Sequence, residues 1–212
     1  MDEQQHDRIK TTVDTYNQIA QLYQDKFMDM DLYDATYDRF CSRVSKQGAS
    51  IFEVGCGPGN ITRYLLHKRP DFKIEATDLA PNMLALAEKN VPGASFRLMD
   101  CRDIGSLPGM YDGIVCGFAM PYLSKEACVQ FIRDSALKLN SGGIFYCSVI
   151  EDAYENSCMQ VSSNGQFSMY IYCHEADYLL RALTENGFTA TEEFRIPYPG
   201  NATHLVLVSE KK

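Results

Sequence analysis

Gly55, Gly57 and Gly59 fall at alternate positions directly after a short apolar run, Ile51-Phe52-Glu53-Val54, and directly before a helical pattern at Ile61, Tyr64 and Leu65. A strand covered on both faces need not alternate polar and apolar residues, so the run reads as a buried strand of a parallel sheet. Glycine tolerates φ > 0 and places no Cβ in the way of a bound group. A helix start adds unpaired N–H groups and a positive dipole end. Strand, glycine turn and helix start therefore form a cradle for a nucleotide-type ligand. An ordinary strand-to-helix turn needs only one or two glycines, so three in five positions favour binding.

Two acids stand in phase with this cradle. Asp78 and Asp100 close the next two strand-like runs, Phe72 to Thr77 and Ser95 to Met99. Open parallel sheets bind ligands outside the carboxyl ends of their strands. At such positions Asp78 could accept hydrogen bonds from both ribose hydroxyls, and Asp100 could hold an adenine amino group. Leu79 and Met83 offer apolar surface to a purine ring. Either acid could instead be a helix cap, as Asp78 before Leu79-Ala80-Pro81 could be, but the pair in phase with the glycines favours binding.

The elements that must position these residues are readable in order. Tyr16, Ile19, Ala20, Tyr23 and Phe27 share one helical face within residues 11 to 27, and a second amphipathic segment covers Leu32 to Val44. These two helices form a layer on the sheet whose tyrosines also roof the ligand site. A helix from Asn60 ends near Pro70, and Pro81 opens another, broken at Pro92-Gly93. Strand four is Tyr111 to Phe118, a helix spans Lys125 to Leu139, and Ser141-Gly142-Gly143 turns into strand five, Ile144 to Ile150. Successive βα units specify a parallel sheet with right-handed crossovers and helices on both faces. Then the rhythm changes. Apolar positions alternate on either side of Asn164-Gly165 from Met159 to Ile171, which predicts an inserted β-hairpin. A helix from Glu175 to Glu185 and two strands, Phe188 to Ile196 and Leu205 to Val208, close the chain as an antiparallel pair at the sheet edge.

The 212 residues suit one α/β domain: a helical cap over 1–47, a cofactor-binding core over 48–150, a hairpin or lid over 151–174 and a closing helix and strands over 175–212. The net charge of −8, without a basic stripe, disfavours nucleic acid as a partner and points to a small-molecule acceptor. No apolar run is long enough for a membrane helix, and the polar, acidic start is unlike a signal peptide, so a cytoplasmic location is expected. Eight cysteines contain no C-x-x-C or Cys/His cluster, which disfavours a metal site, and those on strand positions such as Cys116 and Cys147 read as small core hydrophobes.

As a set, Glu53-Val54-Gly55-Cys56-Gly57-Pro58-Gly59-Asn60, Asp78, Asp100-Cys101, Tyr111-Asp112-Gly113-Ile114-Val115 and Leu139-Asn140-Ser141-Gly142-Gly143 resemble the class I S-adenosylmethionine-dependent methyltransferases. Closeness is greatest over residues 51 to 150, with looser likeness in the Tyr16…Tyr23 helix and at Gly187-Phe188. The resemblance implies a Rossmann-like, seven-stranded, mostly parallel sheet flanked by helices, with an antiparallel last strand, an N-terminal helical cap and the inserted hairpin. It implies S-adenosyl-L-methionine as cofactor, S-adenosyl-L-homocysteine as product and in-line methyl transfer to a small molecule without a metal. The amino-acid end would lie over Gly55, Cys56 and Gly57, its ammonium near Glu53. The ribose would meet Asp78, and the adenine would pack among Leu79, Met83, Asp100 and Cys101. Asn60, Cys116, Tyr16 and Tyr23 complete the expected contacts.

Other readings stay open at this stage. A dinucleotide dehydrogenase using NAD(P) wants G-x-G-x-x-G, whereas here Asn60 stands at the third glycine's place. A non-catalytic module that binds the cofactor or regulates a partner on the same fold is the other alternative. If the acceptor loses a proton, His174 and Tyr122 are the candidate bases, although the position of His174 favours a surface cap before a helix over catalysis. The Asn-Pro-Pro-Tyr signature of enzymes acting on base or glutamine nitrogen is absent. Phe167, Tyr170 and Tyr172 are expected to line the acceptor side of a hairpin lid, with sheet extension or a homodimer contact as the alternative for that hairpin.

Overall fold

The computed structural model describes residues 3–162 and 165–212. In chain order its elements are α1 (Glu3–Phe27), α2 (Asp34–Arg43), β1 (Ser50–Val54), α3 (Asn60–Lys68), β2 (Lys73–Asp78), α4 (Pro81–Asn90), β3 (Ser95–Leu98), β4 (Tyr111–Cys116), α5 (Lys125–Lys138), β5 (Leu139–Glu151), β6 (Cys158–Val161), β7 (Ser168–Ile171), α6 (Ala176–Glu185), β8 (Phe188–Tyr198) and β9 (Ala202–Lys211). Seven strands form one sheet in the order β3-β2-β1-β4-β5-β9-β8. Adjacent strands from β3 to β5 are parallel, and β9 is antiparallel to both β5 and β8. The order reverses between β1 and β4, which sets the ligand crevice at the carboxyl ends of β1, β2 and β4.

The period of two along each strand builds a core on both faces. Phe52, Phe145 and Leu205 point to the layer of α5 and α6, where Phe131, Ile132 and Leu179 meet them. Ile51, Tyr146 and Val206 point the other way, to Phe40 of α2 and Leu65 of α3. Each fully buried side chain of this size contributes about 1.5–3 kcal/mol relative to an exposed one. The central strands are thus fixed from both sides, and their carboxyl ends make a rigid floor.

Two local features differ from the sequence reading. Strand five starts at Leu139, and Ser141-Gly142-Gly143 lies inside it as a bulge between the pairs Tyr111↔Leu139 and Gly113↔Ile144. Gly142 takes φ 77, and Asn140 Nδ2 donates to Asp112 Oδ1 at 2.9 Å, so the chain stays beside β4 through the bend. The hairpin forms as β6 and β7, paired from Cys158↔Ile171 to Val161↔Ser168. Its turn is wider than two residues, since Ser162 N donates to Phe167 O at 2.9 Å and Gly165 N to Ser162 O at 2.8 Å. Asn164 lies outside the described residues. The pair makes a separate two-stranded sheet that packs on α1, where Thr15 Oγ1 donates to Ser168 O at 2.8 Å.

Candidate active site

The glycine turn and the acids converge as their spacing predicts. Gly57 N donates to Asp78 Oδ2 at 2.8 Å and Ala80 N to Oδ1 at 2.8 Å, so one carboxylate ties the turn after β1 to the turn after β2. Burial raises the Asp78 carboxyl above its ordinary value, and these backbone N–H groups oppose the shift. Gly57 has φ 54, and a Cβ there would meet nothing nearer than Tyr23 at 3.7 Å, so its missing side chain leaves room in the crevice. Gly59 (φ 87) ends the turn as the N-cap of α3, where a Cβ would press on Val91 at 3.1 Å. Asp100 caps the following 3-10 turn and is held by Arg102, whose N and Nε each lie 2.9 Å from Oδ1. Burial pushes its carboxyl up, but the Arg102 guanidinium and N–H outweigh it and hold the group below the usual carboxylate range.

A cavity of about 510 Å³ opens above these groups. Of the expected cofactor contacts, Tyr16, Tyr23, Gly55, Gly57, Asp78, Leu79, Met83, Asp100 and Cys101 all line it. Tyr122 lines it too, its hydroxyl hydrogen-bonded to that of Tyr16. Burial, with each phenol's neighbour adding to it for Tyr16, raises both hydroxyls far above the ordinary phenol value, so both stay protonated. Helix α1 is the roof. It is pinned to α4 by Asn17, which accepts from Asn82 N through its side chain and from Asn82 Nδ2 through its backbone carbonyl, each at 2.8 Å.

Four expected contacts are not among the residues that line this cavity. Asn60 lines a second cavity of about 300 Å³ between α2 and α3, with Asp34, Arg63 and Tyr64, while its Oδ1 stays 4.0 Å from where a Gly57 Cβ would stand. Cys56, in the turn after β1, and Cys116, at the end of β4, are buried core residues. Glu53 is fully buried outside the cavity lining. Its Oε2 accepts from Thr62 Oγ1 at 2.6 Å while Oε1 has no partner, and burial pushes its carboxyl up to about 8.

His174 is neither a surface cap nor a base facing the cavity. It is fully buried: Nδ1 bonds the Tyr178 hydroxyl, and Nε2 is closed in by Met120 O at 3.2 Å and Cys128 Sγ at 3.8 Å. Burial pushes its pKa down to about 4. The hairpin turns a different face to the cavity than expected. Gln160, Met169 and Ile171 line it, whereas Phe167, Tyr170 and Tyr172 do not. Tyr170 and Tyr172 instead hold α1, with the Arg8 guanidinium 3.7 Å from the Tyr170 ring centre and donating to the Tyr172 hydroxyl at 3.0 Å.

The far end of the cavity is built by Tyr33, from the expected tyrosine roof, and by residues the sequence reading did not place at the site: Phe118, Ile150, Tyr198 and His204. Phe118 follows β4 with φ 62, a conformation costly for a side chain with a Cβ, and its N–H donates to Ser148 Oγ at 2.8 Å. Its ring lies 5.0 Å from Tyr33 and 4.8 Å from His204. His204 pairs across β5 with Ile150, so the antiparallel strand delivers its first residues to the carboxyl end of the parallel ones. That geometry is the signal for His204: a polar residue at the start of an apolar last strand, beside the strand end that faces the ligand.

Residues 51–143 match the protein family described as a methyltransferase domain. The chain is 30% identical over 145 residues, 62% of its length, to the malonyl-[acyl-carrier protein] O-methyltransferase of Anoxybacillus flavithermus, and covers 54% of that protein. It is 28% identical over 113 residues, half its length, to the ribosomal RNA small subunit methyltransferase C of Shewanella pealeana, covering 32% of it. The chain thus spans between a third and about half of these two relatives. Among solved structures it is similar to the Burkholderia thailandensis 1,6-didemethyltoxoflavin-N1-methyltransferase bound to 1,6-didemethyltoxoflavin and S-adenosylhomocysteine, with a TM-score of 0.73 at 19% identity over 98% of this chain and 90% of that one. The family match lies on the strands and turns that build the glycine cradle and its acids, so over these residues the chain is similar to a methyltransferase domain.

Proposed function

We propose that this chain transfers the methyl group of S-adenosylmethionine to a small-molecule acceptor bound in the 510 Å³ cavity. The observation that carries the reading is the Gly57–Asp78 hydrogen bond at the cavity floor, with a Cβ-free opening above it. The residues present suit the cofactor. Asp78 keeps free lone pairs for ribose hydroxyls beyond the two it gives to the backbone. Leu79, Met83 and Cys101 supply an apolar slot beside Asp100 for the adenine. The amino-acid end would reach past Gly55 and Gly57 toward Tyr16 and Tyr122. When bound, the cofactor supplies an electrophilic methyl on a sulfonium.

The chain's own part is alignment and exclusion of water. Placing two reactants in line within a closed site can lower the barrier by about 7–11 kcal/mol. Helix α1 and the Gln160–Met169 face of the hairpin close the cavity over that alignment. An acceptor of small size fits a cavity of about 510 Å³ with a mainly apolar lining and a chain of net charge −8 better than a nucleic acid does. The test is formation of S-adenosylhomocysteine from S-adenosylmethionine over a panel of metabolites, following calorimetry with both nucleosides. Cofactor binding with turnover supports the reading. Binding without turnover over the panel favours a cofactor-binding module instead, and no binding of either nucleoside overturns both.

A further inference from the structure

We infer that His204 is the general base of this site and that the acceptor is an aromatic hydroxyl compound; this rests on the methyltransferase reading above. His204 lines the cavity yet is only 6% exposed. Its Nδ1 bonds the Tyr33 hydroxyl at 2.6 Å, and Nε2 has no hydrogen-bond partner among the described residues. The contrast with His174, both of whose ring nitrogens are engaged, is direct. With Nδ1–H donating to the Tyr33 oxygen, Nε2 carries a lone pair toward the cavity. Tyr33 is then a positioning residue that holds the ring through Nδ1; its hydroxyl can donate or accept and does not itself fix the tautomer.

The surroundings name the acceptor. The His204 ring is stacked on Tyr198 with centroids 4.2 Å apart and has Phe118 at 4.8 Å, so its faces are covered by apolar rings and an acceptor meets it at the ring edge, beside further aromatic surface. Lys26 is the only Lys or Arg among the described lining residues, and the two acids of the lining, Asp78 and Asp100, belong to the cofactor end. The residues in direct contact with the His204 ring, Tyr33, Phe118 and Tyr198, carry no charge that would hold a carboxylate or an ammonium acceptor. The titratable groups packed against it are the phenols of Tyr33 and Tyr198, and burial alone lowers its pKa, to about 4, which leaves the ring neutral at physiological pH while weakening it as a base. A neutral amine can lose its proton after transfer without a base, whereas a phenol is a poor nucleophile until its proton is drawn away. In the step, His204 Nε2 takes the hydroxyl proton as the acceptor oxygen's lone pair forms the C–O bond and the S–C bonding pair returns to sulfur. The imidazolium then releases the proton to solvent.

The test uses phenol, 4-cyanophenol and 4-nitrophenol, in order of increasing acidity, beside aniline and benzoate, with wild-type chain and saturating S-adenosylmethionine. The phenols are expected to be methylated in preference to the other two. His204→Gln is expected to lower kcat by about 100-fold with phenol and less with 4-nitrophenol, which needs the base least. Affinity for S-adenosylhomocysteine should stay within about twofold, since His204 lies away from the cofactor end, and NMR of the wild-type histidine ring nitrogens should report protonated Nδ1 and bare Nε2. Unchanged kcat, an equal loss for all three phenols, or a protonated Nε2 overturns the base. Methylation of aniline or benzoate alone, or cofactor binding with no phenol turnover, overturns this inference and leaves the methyltransferase reading standing; absent cofactor binding defeats that reading itself. Should His204→Gln not fold, Tyr33→Phe carries the same test: a kcat loss graded with phenol acidity supports the dyad, and none overturns it.

Discussion

Two buried histidines make the most instructive pair in the molecule. His174, below the hairpin, and His204, on β9, each bond a tyrosine hydroxyl through Nδ1, and burial lowers both pKa values to about 4. They differ at one atom. His174 Nε2 is enclosed by Met120 O and Cys128, while His204 Nε2 is unpartnered in a residue that faces a cavity walled by aromatic rings. A shifted pKa therefore does not distinguish a structural histidine from a functional one here. The free nitrogen and the space in front of it do.

The largest separation between the two should appear in turnover. His204→Gln loses about 100-fold in kcat, whereas His174→Leu should leave kcat per folded chain unchanged. The stability ranking is expected to reverse. His174→Leu strands the Tyr178 hydroxyl in the core, which costs about 1–3 kcal/mol, read as a lower denaturant midpoint. If both variants lost turnover equally, the distinction between them would fail.

The pH dependence sharpens the same comparison. Each histidine has a folded pKa below 6.5, so the unfolded chain binds more protons. Their contribution to stability is present above about 6.5 and is lost as pH falls through 4. Thermal midpoints across that window should fall less steeply in His174→Leu than in wild type. Glu53 has the opposite sign. Its carboxyl is raised from 4.5 to about 8, so its contribution is present below the unfolded value and lost as pH rises through the folded one. Glu53→Gln should thus flatten the alkaline limb of the midpoint curve, a smaller effect than the others, and an unaltered limb would show that Glu53 is ionised in the folded chain.

The cofactor end was legible in the sequence because its requirements are local. Gly57 and Gly59 need left-handed backbone, and Asp78 must end the strand beside them, so residue types and spacing record the geometry. The parallel strands followed from the βα rhythm, and the antiparallel edge pair from the short Pro197-Tyr198-Pro199-Gly200 link between the last two strands. The acceptor end was not legible. Tyr33 and His204 are 171 residues apart, and nothing in their separate neighbourhoods announces the bond between them. His174 misled because it follows a tyrosine-rich hairpin at the edge of the site, yet it pairs beside Glu151 and turns into the α5–α6 core. Asn60, in the glycine motif, opens α3 between the two cavities: it lines the second while its Oδ1 stays 4.0 Å from where a Gly57 Cβ would stand.

All of this depends on the cavity binding the proposed cofactor, and calorimetric titration with S-adenosylhomocysteine tests that most directly, on wild type and Asp78→Ala in parallel. One site per chain is predicted in wild type. In the variant, loss of hydrogen bonds to a charged carboxylate should weaken affinity about 10- to 100-fold. No heat of binding in wild type, or equal affinity in the two chains, would contradict the account.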